Sequence, residues 1–133
     1  MWFQVDPRSS IPIYQQVIDG VKQSVAKAIV SPGDKLPSVR ECASSMMLNP
    51  NTVAKAYQEL ERLGIIEVVR GRGTYVAQPT TPINREKRLS ELRHSIKRLL
   101  IDAHHLQLDD DQLLDLFHQS MSEWHEEKGR HVL

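Results

Sequence analysis

Apolar side chains at Ile13, Val17, Ile18, Val21, Val25 and Ile29 recur at helical spacing and predict an amphipathic helix over about 11–30. Pro12 suits its first turn, where a missing N–H leaves no donor unpaired. Ser31-Pro-Gly-Asp34 reads as a loop. Ser38 and Glu41 then form a capping-box pattern, and Val39, Cys42, Ala43 and Met46 supply the inward stripe of a second helix over about 38–47. That stripe leaves Arg40 and Glu41 facing outward.

Asn49 is a good helix cap and Pro50 a good first helical residue, so a third helix begins at a tight corner after Leu48. Val53, Ala56, Tyr57, Leu60 and Leu63 form its inner stripe, and Gly64 is placed to stop it. Two β-prone runs, Ile65–Val69 and Thr74–Ala77, joined through Gly71-Arg-Gly73, predict a hairpin with Arg72 at its tip. Gln78-Pro-Thr-Thr-Pro82 follows as a proline-bearing break.

Beyond the break, Leu89, Leu92, Ile96, Leu99, Leu100 and Ala103 mark a long helix over about 83–105 with a narrow apolar seam. Asp109 to Asp111 place negative charge at the start of a last helix, where the helix dipole favours it. That helix carries Leu113, Leu114, Phe117, Met121 and Trp124 on one side. Two such helices cannot cover both apolar faces by themselves, so a second copy of the chain is the expected cover. The fold class is mainly α with a small β-hairpin: a winged helix-turn-helix over 1–78, a linker over 79–83 and a two-helix dimerisation tail over 84–133.

Composition adjusts this picture little. Seventeen basic and seventeen acidic residues give a formal charge of +0, so attraction to a polyanion must be local. Residues 1–78 hold 9 basic against 7 acidic side chains, and residues 79–133 hold 8 against 10. A lone cysteine, Cys42, excludes an intramolecular disulfide, and it falls on an inward stripe as a structural thiol. With no long apolar run and no signal-peptide pattern at the start, a cytoplasmic protein without membrane contact is expected.

The chemistry sits at the start of the third helix. Asn51 can pair with both groups of an adenine edge, and Thr52 offers a hydroxyl and a methyl. Lys55, one turn on, can reach a phosphate or a guanine, and Arg40 borders the same groove. Ser38 and Asn49 cap the two helices of this face. In Arg70-Gly-Arg-Gly-Thr74, glycines beside Arg72 let the main chain approach a phosphate without a Cβ in the way. Arg70, Gly71, Arg72 and Thr74 thus complete the expected set for double-stranded DNA.

Six histidines, among them His94, His104, His105, His118 and His125, keep open a metal- or small-ligand sensor built on the rear helices. No H-x-x-x-H pair occurs, and His104 and His105 are expected to face different ways, so neither a metal nor a cofactor is assigned. No effector class is assigned either. An enzyme is not expected, since about 50 residues after the linker cannot house a cofactor domain and no acid–base pair or nucleophile stands out.

The segments Pro12-Ile-Tyr-Gln15, Pro32-Gly-Asp-Lys-Leu-Pro-Ser-Val-Arg-Glu41, Asn49-Pro-Asn-Thr-Val-Ala-Lys-Ala-Tyr57, Glu59-Leu-Glu61, Gly64 and Gly71-Arg-Gly-Thr74 resemble the GntR family of bacterial transcription regulators, its short YtrA-type branch in particular. The resemblance covers about Phe3 to Val76. It implies operator contacts at Arg40, Asn51, Thr52, Lys55, Arg70, Gly71 and Arg72, and a short helical tail that pairs subunits. Cys42 departs from the leucine usual in the family, a change of packing away from the DNA face. The expected function is a homodimeric regulator, a repressor by expectation, bound to an inverted-repeat operator.

Overall fold

The structure, a computed structural model, describes residues 2–78 and 85–132, with side chains through Gly129. Its elements are α1 (Ile13–Ala26), β1 (Lys35–Leu36), α2 (Val39–Met46), α3 (Pro50–Arg62), β2 (Ile66–Val69), β3 (Gly73–Val76), α4 (Arg85–His105) and α5 (Asp110–Val132). The chain divides into two compact units, one carrying α1 to β3 and the other α4 with most of α5. The linker expected at 79–83 lies outside the described residues.

In the first unit α3 packs across α1 and α2. Val17, Ile18 and Val21 of α1, Cys42 and Ala43 of α2, and Val53, Ala56, Tyr57 and Leu60 of α3 are all buried, closed over by Leu36, Ile66 and Val76 from the strands. These are the apolar stripes that the helical period picks out, and their burial is what makes the short α2 and α3 stable in water. Trp2 and Phe3 pack beside this core. The Gln16 amide holds the loop before α1, accepting from the Asp6 N–H at 2.7 Å and donating to the Ile11 carbonyl at 2.8 Å.

The strands form one antiparallel sheet in the order β1-β3-β2. β1 pairs Lys35 with Tyr75 and Leu36 with Thr74, and β2 pairs Ile66 with Val76 through Val69 with Gly73. β1 is absent from the sequence-based expectation. Two residues between Asp34 and Pro37 show no period, and only the free edge of β3 gives them a partner.

The end of α1 falls short of expectation, and it shares one recurring motif with the ends of α2, α3 and α4. The Ile29 N–H bonds the Ser24 carbonyl at 2.9 Å, so α1 closes in a Schellman motif at Ala26 and leaves Ile29 outside it. The same bond, donor five residues after acceptor, ends α2 (Leu48 to Ala43), α3 (Ile65 to Leu60) and α4 (Leu108 to Ala103). Each motif holds a left-handed residue: Ala28 at φ 58°, Met47 at 57°, Gly64 at 74° and Gln107 at 59°. Of these only Gly64 is glycine, and the α3 terminus is the end anticipated on that signal.

The starts of α2, α3 and α5 follow the capping chemistry, whereas α1 begins after Pro12 without a side-chain cap. Ser38 Oγ accepts from the Glu41 N–H at 3.1 Å, and Asn49 Oδ1 accepts from the Asn51 N–H at 2.8 Å. At α5 the cap is reciprocal: Asp109 Oδ1 accepts from the Gln112 N–H at 2.8 Å, and Gln112 Oε1 accepts from the Asp109 N–H at 3.0 Å.

Gly20 in α1 illustrates packing overriding propensity, because a Cβ there would overlap the Phe3 ring. Alanine is ordinarily about 1 kcal/mol better than glycine inside a helix. Gly20→Ala is nevertheless expected to lower stability by about 1–3 kcal/mol through overpacking, seen as a lower denaturation midpoint. A rise in that midpoint would show that Phe3 does not occupy this slot.

Candidate nucleic-acid interface

α3 belongs to the core and to the surface at once. With Val53, Ala56, Tyr57 and Leu60 turned inward, the 3.6-residue period leaves Asn51 and Lys55 exposed and Thr52 half-buried. Arg40 is exposed on α2, next to the cap formed by Ser38. Ser38 and Asn49 are exposed as well, but their side-chain oxygens are occupied by the caps. Each still has a donor free for another molecule, the Ser38 hydroxyl hydrogen or the Asn49 amide hydrogens, beside the second lone pair of its oxygen.

The two helices are tied by a bond that sequence inspection missed. The Tyr57 hydroxyl donates to the Pro37 carbonyl at 2.8 Å, anchoring α3 to the residue before the α2 cap. Tyr57 was expected as core, and it is 4% exposed. Burial, aided by the neighbouring Cys42, pushes its hydroxyl well above the ordinary tyrosine range, so it stays a neutral donor. Burial also raises the Cys42 thiol, against a smaller opposing pull from the neighbouring Tyr57 hydroxyl. The only sequence signal for the tie is that a tyrosine stands where leucine or isoleucine would fill the stripe equally well.

The loop between β2 and β3 consists of Arg70, Gly71 and Arg72, closed by the Arg72 N–H on the Val69 carbonyl at 3.0 Å. Gly71, at φ 79°, occupies the middle, in the position where a type II turn demands positive φ. Arg72 was expected at the tip. Instead Gly71 is the tip, with Arg70 and Arg72 as its two exposed flanks. The Tyr75 hydroxyl donates to the Arg72 carbonyl at 3.2 Å and braces the trailing side.

Thr74 is a correction to the expected site. It is 7% exposed, packed in the sheet between Leu36 and Val68, so its hydroxyl is not presented to a ligand. Strand alternation explains this: Thr74 and Val76 share the inner face, and Gly73 and Tyr75 the outer one.

In the second unit, Ala103 is the one buried residue among those described, and α5 has none. The seam residues Leu92, Ile96, Leu99 and Leu100 are exposed, as are Leu114, Phe117 and Met121, while Leu89, Leu113 and Trp124 are half-buried. Leu99, Leu113, Phe117, Met121 and Trp124 converge, with Leu108 and the unanticipated Leu116, on an apolar cleft of about 390 Å3. Leu89, Leu92, Ile96, Leu100 and Leu114 lie outside that cleft.

Among the described residues, no three His, Cys, Asp or Glu side chains gather as a metal-ligand set. His94 Nδ1 donates to the Ser90 carbonyl at 2.8 Å. His104 and His105, expected to diverge, meet edge to face with ring centroids 5.4 Å apart. No helix among the described residues is long and apolar enough to cross a membrane.

Residues 13–76 match the family described as bacterial regulatory proteins, gntR family. The chain is 50% identical over 110 residues to the HTH-type transcriptional repressor YtrA of Bacillus subtilis, covering 83% of this chain and 85% of that protein. Among solved structures, a transcriptional antiterminator from Listeria monocytogenes superposes with a TM-score of 0.83 at 35% identity, covering 93% of this chain and 92% of that one. YtrA from Sulfolobus acidocaldarius, a GntR-family transcription factor, gives a TM-score of 0.60 at 39% identity, covering 76% of this chain and 99% of that one.

A thiol that is buried and held protonated reacts slowly, because only the thiolate is a nucleophile. In native protein at about pH 8, Cys42 is expected to resist iodoacetamide on the timescale at which urea-unfolded protein is fully alkylated. Equal rates in the two states would contradict the packing around Tyr57.

Proposed function

The chain belongs to the gntR family of bacterial regulatory proteins, and on that premise we propose that it represses transcription as a homodimer bound to an inverted-repeat operator. It is a DNA-binding transcriptional regulator with a winged helix-turn-helix. In the reading proposed, residues 1–78 form the reader and residues 84–133 the pairing segment. Asn51 and Thr52 enter the major groove and hydrogen-bond base edges, Arg40 and Lys55 hold the flanking phosphates, and Ser38 and Asn49 donate to the backbone. Arg70, Gly71 and Arg72 approach the neighbouring groove or backbone.

The observation that carries this reading is the exposed Asn51–Lys55 edge on a helix whose opposite stripe is fully buried. A probe of this kind must be stiff, since phosphate contacts can set the register of base contacts only on a rigid frame. The Asn49 cap and the Tyr57–Pro37 bond supply that stiffness.

Pairing is supported by the exposed apolar residues of α4 and α5. Phe117 at 41% and Met121 at 42% exposure flank the apolar cleft, and a second copy is the occupant that would also double the reader. Two-fold symmetry in the protein calls for half-sites about one helical turn, or a multiple of it, apart. The repressor sign rests on the relative from Bacillus subtilis, itself named a repressor. A cytoplasmic location belongs to the same reading.

Arg40→Ala and Lys55→Ala are each expected to reduce the slope of log affinity against log salt by about 0.9, the loss of one phosphate contact. Electrophoretic titration across salt concentrations, on duplex selected by the wild-type protein from a random-sequence pool, measures this. Unaltered slopes in both variants would remove the assigned face.

Phe117→Lys combined with Met121→Lys places charge in the proposed pairing surface at positions already in contact with solvent. Sedimentation equilibrium should show a dimer for the wild type and a monomer for the double variant, with operator affinity lowered in parallel. A wild-type chain that sediments as a monomer at the concentration where it binds DNA ends the homodimer reading.

A further inference from the structure

We propose that Lys35 on β1 is a third cation of the wing and contacts a DNA backbone phosphate next to the groove or backbone engaged by Arg70 and Arg72. The inference rests on the DNA-contact reading above and adds a residue to it from outside the hairpin.

Its basis is the geometry of the short first strand. Leu36 is buried at 3% exposure, so strand alternation sends Lys35 to the outer face, where it is exposed opposite Tyr75. From there its side chain runs along the sheet toward the wing loop. Lys35 Cε lies 3.0 Å, and Nζ 3.7 Å, from the point where a Cβ on Gly73 would stand. Gly73 pairs with Val69 at the mouth of the loop, so the Lys35 ammonium sits at the base of the segment that carries Arg70 and Arg72. Gly73 needs to be glycine for its own φ of 130°. The missing Cβ also leaves an open lane for the lysine stem.

The arrangement is braced and not neutralised. Tyr75, the cross-strand neighbour of Lys35, holds the Arg72 carbonyl with its hydroxyl at 3.2 Å, which connects the strand under the lysine to the loop ahead of it. The Asp34 carboxylate, adjacent in sequence, is turned into its own loop and accepts from the Ser31 N–H at 2.8 Å. Glu67 is the acidic residue in the same cross-strand row, beyond Tyr75 on β2. Two inter-strand spacings of about 4.8 Å separate it from Lys35, close to a Debye length of about 10 Å at 0.1 M salt. Salt weakens its charge over that distance, and the Lys35 stem ends beside Gly73, nearer the loop than the row that holds Glu67. An ammonium on a four-carbon stem lacks the fork that reads a base edge bidentately, and this favours phosphate as its target.

The test uses the full chain and the duplex it selects from a random-sequence pool, with fluorescence anisotropy between about 50 and about 200 mM salt. Lys35→Gln is expected to reduce the log–log salt slope by about 0.9. The ratio of wild-type to variant affinity then shrinks by about 3.5-fold over that fourfold salt range. Lys35→Arg should keep the wild-type slope, and Lys22→Gln, a charge removed from an exposed position on α1, should leave it unchanged. Thermal unfolding of Lys35→Gln should match the wild type, because the residue is exposed. A wild-type slope in Lys35→Gln, with Arg40→Ala still lowering it, overturns the inference and leaves the DNA face intact. Wild-type slopes in Lys35→Gln, Arg40→Ala and Lys55→Ala together overturn the underlying reading as well. A slope lowered equally by Lys22→Gln overturns the inference in favour of a diffuse charge effect.

Discussion

The hydrogen bond from the Tyr57 hydroxyl to the Pro37 carbonyl holds together two demands made on α3. The helix must bury one stripe to be stable and must present the other at a fixed angle to be useful. Apolar contact alone satisfies the first demand but is non-directional, and helices packed only by apolar contact can slide by fractions of an ångström at little cost. A hydrogen bond has a direction, and this partly buried one holds the Pro37 carbonyl in place. It therefore fixes the α2 cap, and with it Arg40, against the middle of α3, whose first two turns carry Asn51, Thr52 and Lys55. Tyr57 and Cys42 are both held protonated, so neither adds a buried charge to this corner.

The wing shows a different way of making a rigid probe. Its loop is short, and Gly71 and Gly73 take backbone conformations that few other residues adopt without strain. The ends of the loop are secured by the Arg72 N–H on the Val69 carbonyl and by the Tyr75 hydroxyl on the Arg72 carbonyl. The arginines then project from a backbone with little freedom, so a contact they make costs less conformational entropy. β1 widens the platform, since an isolated two-stranded hairpin is marginal in water and a third strand packed on a helical core is not.

The rear helices follow another logic. α5 is well capped by Asp109 and Gln112, and α4 ends in a closed Schellman motif, so each is a well-formed helix in its local chemistry. Neither buries its apolar stripe within the unit, apart from Ala103 among the described residues. Local order without tertiary burial leaves an apolar stripe facing solvent, and the proposed pairing rests on that stripe.

The period of apolar residues and the capping residues were enough, on sequence alone, to determine the three front helices, the inner stripes of α2 and α3 except Leu63, which is the half-buried C-cap of α3, the hairpin, the two rear helices and the exposed Asn51–Lys55 edge. These features are legible because they depend on contacts within a few residues. The folded structure decided the rest. β1 exists because β3 has a free edge, and Thr74 is buried because that pairing sets its face. α1 stops at Ala26, since Ala28 accepts a left-handed conformation that no local signal announces. The tip of the wing is Gly71 and not Arg72, because the strand register of Val69 with Gly73 centres the turn there. β1 and the burial of Thr74 are settled by partners distant in sequence, while the α1 end and the wing tip are set by backbone bonds between near neighbours, Ile29 to Ser24 and Arg72 to Val69, which the spacing of apolar side chains does not register.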